Sequence, residues 1–186
     1  MLIAATHPPT AVSNTTRYTT TAIAFHWLLG LMIVTSFGVG LYMTELPFGP
    51  ERLKFFNWHK WAGVTILALS ALRLLWRLTH KPPPDLPMPG WQQRAAHAAH
   101  GLLYVLFFAV PLAGWAYSSS AGFPIVLYGV LPLPDFVPVD RDLAELAKNV
   151  HKALAFGLAG VVLLHVAGGL KHHFIDRDAL LQRMLP

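Results

Sequence analysis

Cysteine is absent from the 186 residues. That excludes disulfides, cysteine-ligated iron–sulfur clusters, thiolate zinc sites and the C-x-x-C-H attachment of c-type haem, so any cofactor must be held non-covalently or through histidine. Charge is scarce as well: Asp, Glu, Lys and Arg together make up 12% of the chain, whereas 54% is hydrophobic. A soluble domain carries about 25% charged residues, so the composition excludes one and points to an integral membrane protein. At about 20 residues per span, the length allows four transmembrane helices with short connections and no separate soluble domain.

What the chain does have is histidine, ten of them, most inside or at the ends of hydrophobic runs. Residues 1–17 are small, polar and proline-containing, with no basic stretch ahead of an apolar core, and are expected to be a flexible cytoplasmic tail rather than a signal peptide. Four apolar runs follow, at about 18–43, 55–78, 91–117 and 142–174. Pro111 predicts a kink in the third, and Asp142 with Glu145 has capping-box spacing at the start of the fourth. The expected fold is all-α, an integral membrane four-helix bundle formed by residues 18–186 as a single domain. The linker KPPPDLPMPG (81–90) is stiff and separates the second and third helices. The stretch GFPIVLYGVLPLPDFVP within 118–141 is too apolar for an ordinary loop and too broken by Pro and Gly for a fifth span. It is expected to lie on the membrane surface.

Lys and Arg set the orientation. One side holds Arg17, Arg73, Arg77, Lys81, Arg94, Lys171, Arg177 and Arg183 against three acids; the other holds six basic and six acidic residues. Both termini are therefore expected to be cytoplasmic. The formal net charge of +5 is then a topology signal and calls for no nucleic-acid partner.

In that topology the histidines sort by depth. His26 lies early in the first helix near the cytoplasmic side, and His59 lies early in the second, which starts from the other side. The fourth helix carries His151 and His165, fourteen residues apart, a rise of about 21 Å within about 40° of whole turns, so both share one face. This pairs His59 with His151 on the outer side and His26 with His165 on the cytoplasmic side. Two nitrogens on opposite faces of a flat macrocycle are what haem iron takes from facing helices. A zinc or copper cage needs three or four ligands at one depth. Small residues one turn beyond the histidines would leave room for a porphyrin: Gly30, Gly63 and Gly169, with Ala155 after His151. Gly is also frequent at membrane-helix contacts, where it serves packing alone.

His97 and His100 open the third helix on the cytoplasmic side and rival His26 as ligands there, or line a site or bond a haem propionate. Arg73, Arg77 and His172 are expected to converge beside the cytoplasmic haem, to hold a quinone head group or balance propionates; the arginines could instead snorkel to lipid head groups. Lys60 and Lys152 directly follow the outer histidines. They would bind propionates, steer a small anion, or serve as ordinary interfacial lysines.

The segments FHWLLGL (25–31), NWHKWAG (57–63), RLLWRL (73–78), AHAAHGLLY (96–104), VPLAGW (110–115), VHKALAFGL (150–158) and LHVAGGLKHHFIDRDALLQRMLP (164–186) resemble the bacterial cytochrome b561 family, and within it the superoxide oxidase-like members. The resemblance implies a bundle in the bacterial inner membrane holding two haem b, with His26, His59, His151 and His165 as axial ligands. It also implies oxidation of superoxide on the periplasmic side and reduction of ubiquinone near the cytoplasmic haem, with His172 matching a quinone-site histidine. The alternative is an electron-transfer or anchor subunit passing electrons between a periplasmic redox partner and the quinone pool. A third class, a haem-free histidine-lined metal transporter, would be colourless.

Overall fold

The computed structural model describes residues 17–186, so the expected tail, apart from Arg17, lies outside the described residues. Four helices follow in chain order: α1 (Thr20–Glu45), α2 (Pro50–Thr79), α3 (Gly90–Ser120) and α4 (Arg141–Lys171). All four are long and apolar enough to cross a membrane. After α4 the helix widens into one π-helical turn, His172–Asp176. Between α3 and α4 stands a two-residue-per-strand antiparallel hairpin, β1 (Val126–Leu127) on β2 (Leu131–Pro132).

The helix ends depart from the apolar runs for local reasons. Helix α2 begins on Pro50, five residues before its apolar run, because the polar turn after a proline at the first helical position is helical too. Helix α3 continues through Pro111 to Ser120. The cap of α4 is Asp140, whose side chain accepts from the Leu143 N–H at 2.7 Å, so the capping box centred on Asp142 is corrected by two residues. Asp142 instead lies in the first turn, where a negative charge suits the exposed N–H groups.

Helix α1 packs along α2 and α3 packs along α4, with α2 touching α3; α1 and α4 meet at only a few points. A band of buried Leu29, Ile33, Ile66, Leu103, Leu106, Phe107 and Leu158 fills the middle of the bundle. Large apolar side chains such as Leu31, Val34, Leu75, Leu163 and Leu164 cover the outside, as a lipid-facing surface requires.

Arg17 and Tyr18, where the described residues begin, meet the C-terminal segment on one face. The Tyr18 N–H donates to the Arg183 carbonyl at 3.3 Å, and Trp27 Nε1 to the Met184 carbonyl at 2.7 Å. Arg17 donates to the carbonyl of Leu185. The Arg183 guanidinium is buried, bonds the Pro84 carbonyl at 2.9 Å and lies over the Tyr18 ring. This is the terminal face; the hairpin marks the opposite one.

Candidate functional site

Toward the hairpin face, His59 of α2 and His151 of α4 point at each other with ring centres 6.0 Å apart and planes at 84°. Each ring is held from behind. His59 Nδ1 lies 3.1 Å from the Ser36 carbonyl and 3.3 Å from the Ser36 hydroxyl, and His151 Nδ1 lies 2.9 Å from the Val110 carbonyl. A carbonyl only accepts, so Nδ1 carries the proton and Nε2 keeps its lone pair, the arrangement a metal-binding imidazole needs.

Toward the terminal face, His26 of α1 and His165 of α4 repeat the spacing, 6.0 Å between centres with planes at 63°. Rings flank this pair: Trp27 stands 5.4 Å from His26, and His100 of α3 stands 5.2 Å from His165. Arg73 lies within electrostatic reach of His26 and His165, with its guanidinium 5.5 Å from the Tyr104 ring.

Two imidazoles holding one metal from opposite sides, each nitrogen about 2 Å from it and each ring centre about 1 Å behind its nitrogen, have centres about 6 Å apart. Both pairs have that separation. Leu158, seven residues from each α4 histidine, is buried between them. The weak α1–α4 contact leaves room between helices on that side. The residues present therefore fit two flat, histidine-ligated groups at two depths.

The remaining expected site residues fall less evenly. An added Cβ at Gly30, Gly63 or Gly169 would meet nothing within 4 Å, as expected of space left beside a histidine, but the same is true of Gly157 and Gly160. Ala155 is half-buried one turn after His151. His100 joins the terminal-face group, whereas His97 turns outward to Asp85, with its Nε2 3.0 Å from the carboxylate. His172 does not bond the arginines: its Nδ1 lies 2.6 Å from Asp178 and 3.2 Å from Asp176. Arg77 is exposed near Arg73 and His100. Lys60 donates to the Phe123 carbonyl at 3.3 Å, and Lys152 is exposed.

Sequence reasoning missed two glycines and two carbonyls. An added Cβ at Gly40 would lie 3.1 Å from His59 Cε1, and one at Gly114 would lie 2.9 Å from His151 Cε1. Ser36 is one turn before Gly40 and Val110 one turn before Gly114, so a carbonyl and a missing side chain on one helix face together cradle each ring. The spacing between residue and glycine repeats in both helices, but nothing in the sequence ties it to a histidine on another helix.

The family described as prokaryotic cytochrome b561 matches residues 17–186. "Cytochrome b561 homolog 2" of Escherichia coli strain K12 is 34% identical over 177 residues, 91% of each chain. "Probable superoxide oxidase CybB" of Yersinia pestis is 31% identical over 176 residues, covering 91% of this chain and 96% of that one. "Cytochrome b561 homolog 1" of Escherichia coli strain K12 is 30% identical over 172 residues, covering 91% and 97%.

Proposed function

This chain belongs to the prokaryotic cytochrome b561 family, electron-transfer b-type cytochromes of the cytoplasmic membrane, and from that premise we propose that it is a superoxide:ubiquinone oxidoreductase holding two haem b. One haem is assigned to His59 and His151, the other to His26 and His165. The observation that carries the reading is the pair of equal 6.0 Å histidine separations, both anchored on one face of α4. The relative named as a probable superoxide oxidase directs the choice of donor. The lysine and arginine distribution supports a periplasmic hairpin face.

His59 with His151 and His26 with His165 would hold the two groups, and haem b bound there would supply one-electron redox chemistry. The protein's own residues do the rest. The Ser36 and Val110 carbonyls fix the tautomer and aim of His59 and His151. Leu29, Ile33, Phe107 and Leu158 keep water out of the gap between the two pairs. Arg73, with Arg77 and His172, supplies positive charge and donors for a quinone head group on the terminal face. His172 is oriented for this by Asp178 at Nδ1, which leaves Nε2 for the quinone oxygen. Lys152 and Lys60 provide the positive charge that draws a small anion to the opposite end. Overall, two superoxide anions give up one electron each, leaving as oxygen, and one quinone takes two electrons and two protons to become quinol.

The test is the haem-to-protein ratio together with rapid mixing. Two low-spin b haems per chain are expected. His59→Ala or His151→Ala should remove one haem, and His26→Ala or His165→Ala the other. A colourless preparation with adequate haem supply rejects the haem assignment; loss of a haem in His100→Ala but not in His26→Ala reassigns the terminal-face ligand. Haems that superoxide does not reduce reject the enzyme and leave an electron-transfer subunit.

A further inference from the structure

The hairpin between α3 and α4 is tied to the outside of α2 at increasing depth. Lys60 bonds the Phe123 carbonyl at 3.3 Å, Trp61 Nε1 bonds the Val126 carbonyl at 2.7 Å, and the Thr65 and Tyr128 hydroxyls meet at 2.6 Å. Thr65 lies fifteen residues from Pro50 and fourteen from Thr79, the middle of α2, and six residues deeper than His59. The uncharged stretch Trp61–Leu72 is centred close to it. Successive helix positions advance by about 100°, which puts Trp61 about 160° and Thr65 about 120° from the direction of His59. Ile66, in the core, is on the His59 side. The hairpin therefore covers the face of α2 that turns out of the bundle, at a level that belongs to the membrane.

Its polar atoms suit that place. Non-helical backbone at membrane depth is tolerated only when its N–H and C=O groups are satisfied within the protein. Here the Gly129 N–H donates to the Val126 carbonyl and the Val130 N–H to the Leu127 carbonyl, both at 3.1 Å, while the Leu133 N–H donates to the Ile125 carbonyl at 2.9 Å. Pro132, opposite Val126, has no N–H to satisfy. The Thr65 hydroxyl donates to the Trp61 carbonyl at 2.8 Å, so the Tyr128 hydroxyl is the donor to Thr65 and is satisfied within the protein. Tyr128 also holds a left-handed backbone, φ 52°, beside Gly129 at φ 76°, in a tight turn where asparagine or aspartate would be usual. The side chain that bonds Thr65 is kept at a position where its backbone is strained. Around this turn the side chains facing away are apolar: Val130 is 81% exposed, with Leu131, Val126 and Phe123 also exposed.

From these positions we infer that Phe123–Leu133 is a re-entrant hairpin immersed in the leaflet opposite the chain termini, and that its exposed apolar face is an interaction surface for lipid acyl chains. The surface is continuous with the lipid-facing sides of the helices, and no charged residue occurs from Phe123 to Pro134. The hairpin thereby widens the bundle on the α2 side from the depth of His59 to that of Thr65.

The absence of cysteine makes the test direct, because each introduced thiol is the sole one. Spin labels on Val130→Cys, Leu163→Cys in α4 and Asp135→Cys are compared in phosphatidylethanolamine–phosphatidylglycerol vesicles, using collision with oxygen and with a water-soluble nickel chelate. Val130→Cys is expected to resemble Leu163→Cys, with strong oxygen and weak chelate collision, and to be several-fold more protected from the chelate than Asp135→Cys. Chelate access at Val130 equal to that at Asp135 would overturn the proposal and leave the face free for a water-soluble redox protein. As a second arm, Tyr128→Phe in the Val130→Cys background should raise chelate access without changing haem content; unchanged access would overturn the role given to the Thr65 tie.

Discussion

Gly114 and His151 lie so close that a Cβ on Gly114 would stand 2.9 Å from Cε1 and 3.0 Å from Nδ1 of the ring. The ring cannot simply back away, because Val110 on the same helix holds Nδ1 at 2.9 Å. Gly114→Ala is therefore expected to displace the imidazole, at an overpacking cost of about 1–3 kcal/mol. Haem content should fall from two toward one per chain, with the His26–His165 signal retained. Gly160→Ala, where an added Cβ meets open space, is the matched control. Gly40→Ala, at 3.1 Å from His59 Cε1, should act on the same haem more mildly. Two haems and an unaltered spectrum in Gly114→Ala would show that the ring needs no such cradle.

Electron exit can be separated from entry. His172→Ala and Arg73→Ala should keep both haems and normal reduction by superoxide, while reoxidation by a ubiquinone analogue slows about ten-fold or more, the scale of losing a positioned proton donor or charge. Asp178→Asn should share part of the His172→Ala defect, since Asp178 orients that ring at 2.6 Å. Stopped-flow traces of haem reduction and reoxidation distinguish the two halves. Slower reduction with normal reoxidation would move these residues to the entry side.

Entry should respond to charge at the other end. Lys152→Gln is expected to slow reduction by superoxide more at low salt than at high, because steering of a small anion is screened over about 10 Å at 0.1 M ionic strength. Lys60→Gln should have the smaller kinetic effect, since its ammonium is engaged by the Phe123 carbonyl. A salt-independent effect of Lys152→Gln would contradict steering.

The linker before α3 carries a pH-dependent contact. Gln93 donates to Asp85 at 2.9 Å, and His97 lies 3.0 Å from the same oxygen. Together, Gln93 first, they hold the Asp85 carboxyl below its ordinary range. A depressed folded value means stabilisation that is fully present above the unfolded value, about 3.9, and lost as pH falls through the folded one. The group is exposed, so the gain is at most about 1 kcal/mol. Thermal unfolding in detergent should show wild type above Asp85→Asn near pH 6, the gap closing on acidification below pH 4. A gap that persists unchanged at pH 3 would refute the assignment.

The four spans and the histidine pairing were legible in the sequence because both depend on one-dimensional quantities, the length of an apolar run and the register of residues along a helix. His151 and His165 share a face by arithmetic alone, and their partners followed from which side each helix starts. Contacts made between helices were not legible: Ser36 against His59, Val110 and Gly114 against His151, and Asp178 against His172. The last arises because the chain reverses after the π-helical turn, at Arg177 with φ 53°, which no apolar pattern announces. Composition leads to the expectation that the 118–141 connection lies on the membrane surface, but its course along α2 depends on the Tyr128–Thr65 contact, which only three-dimensional placement shows.

The close packing of α1 with α2 and of α3 with α4, set against the sparse meeting of α1 with α4, bears on how the protein is made. Each antiparallel pair has its own internal contacts and can enter the bilayer as a unit, one after the other. Side-chain packing does little to close α1 against α4; that seam is where His26 and His165 face each other across 6.0 Å. On the haem assignment proposed above, a group held between these two histidines would bridge this seam, while the α2–α3 contact and the shared core already join the two pairs elsewhere.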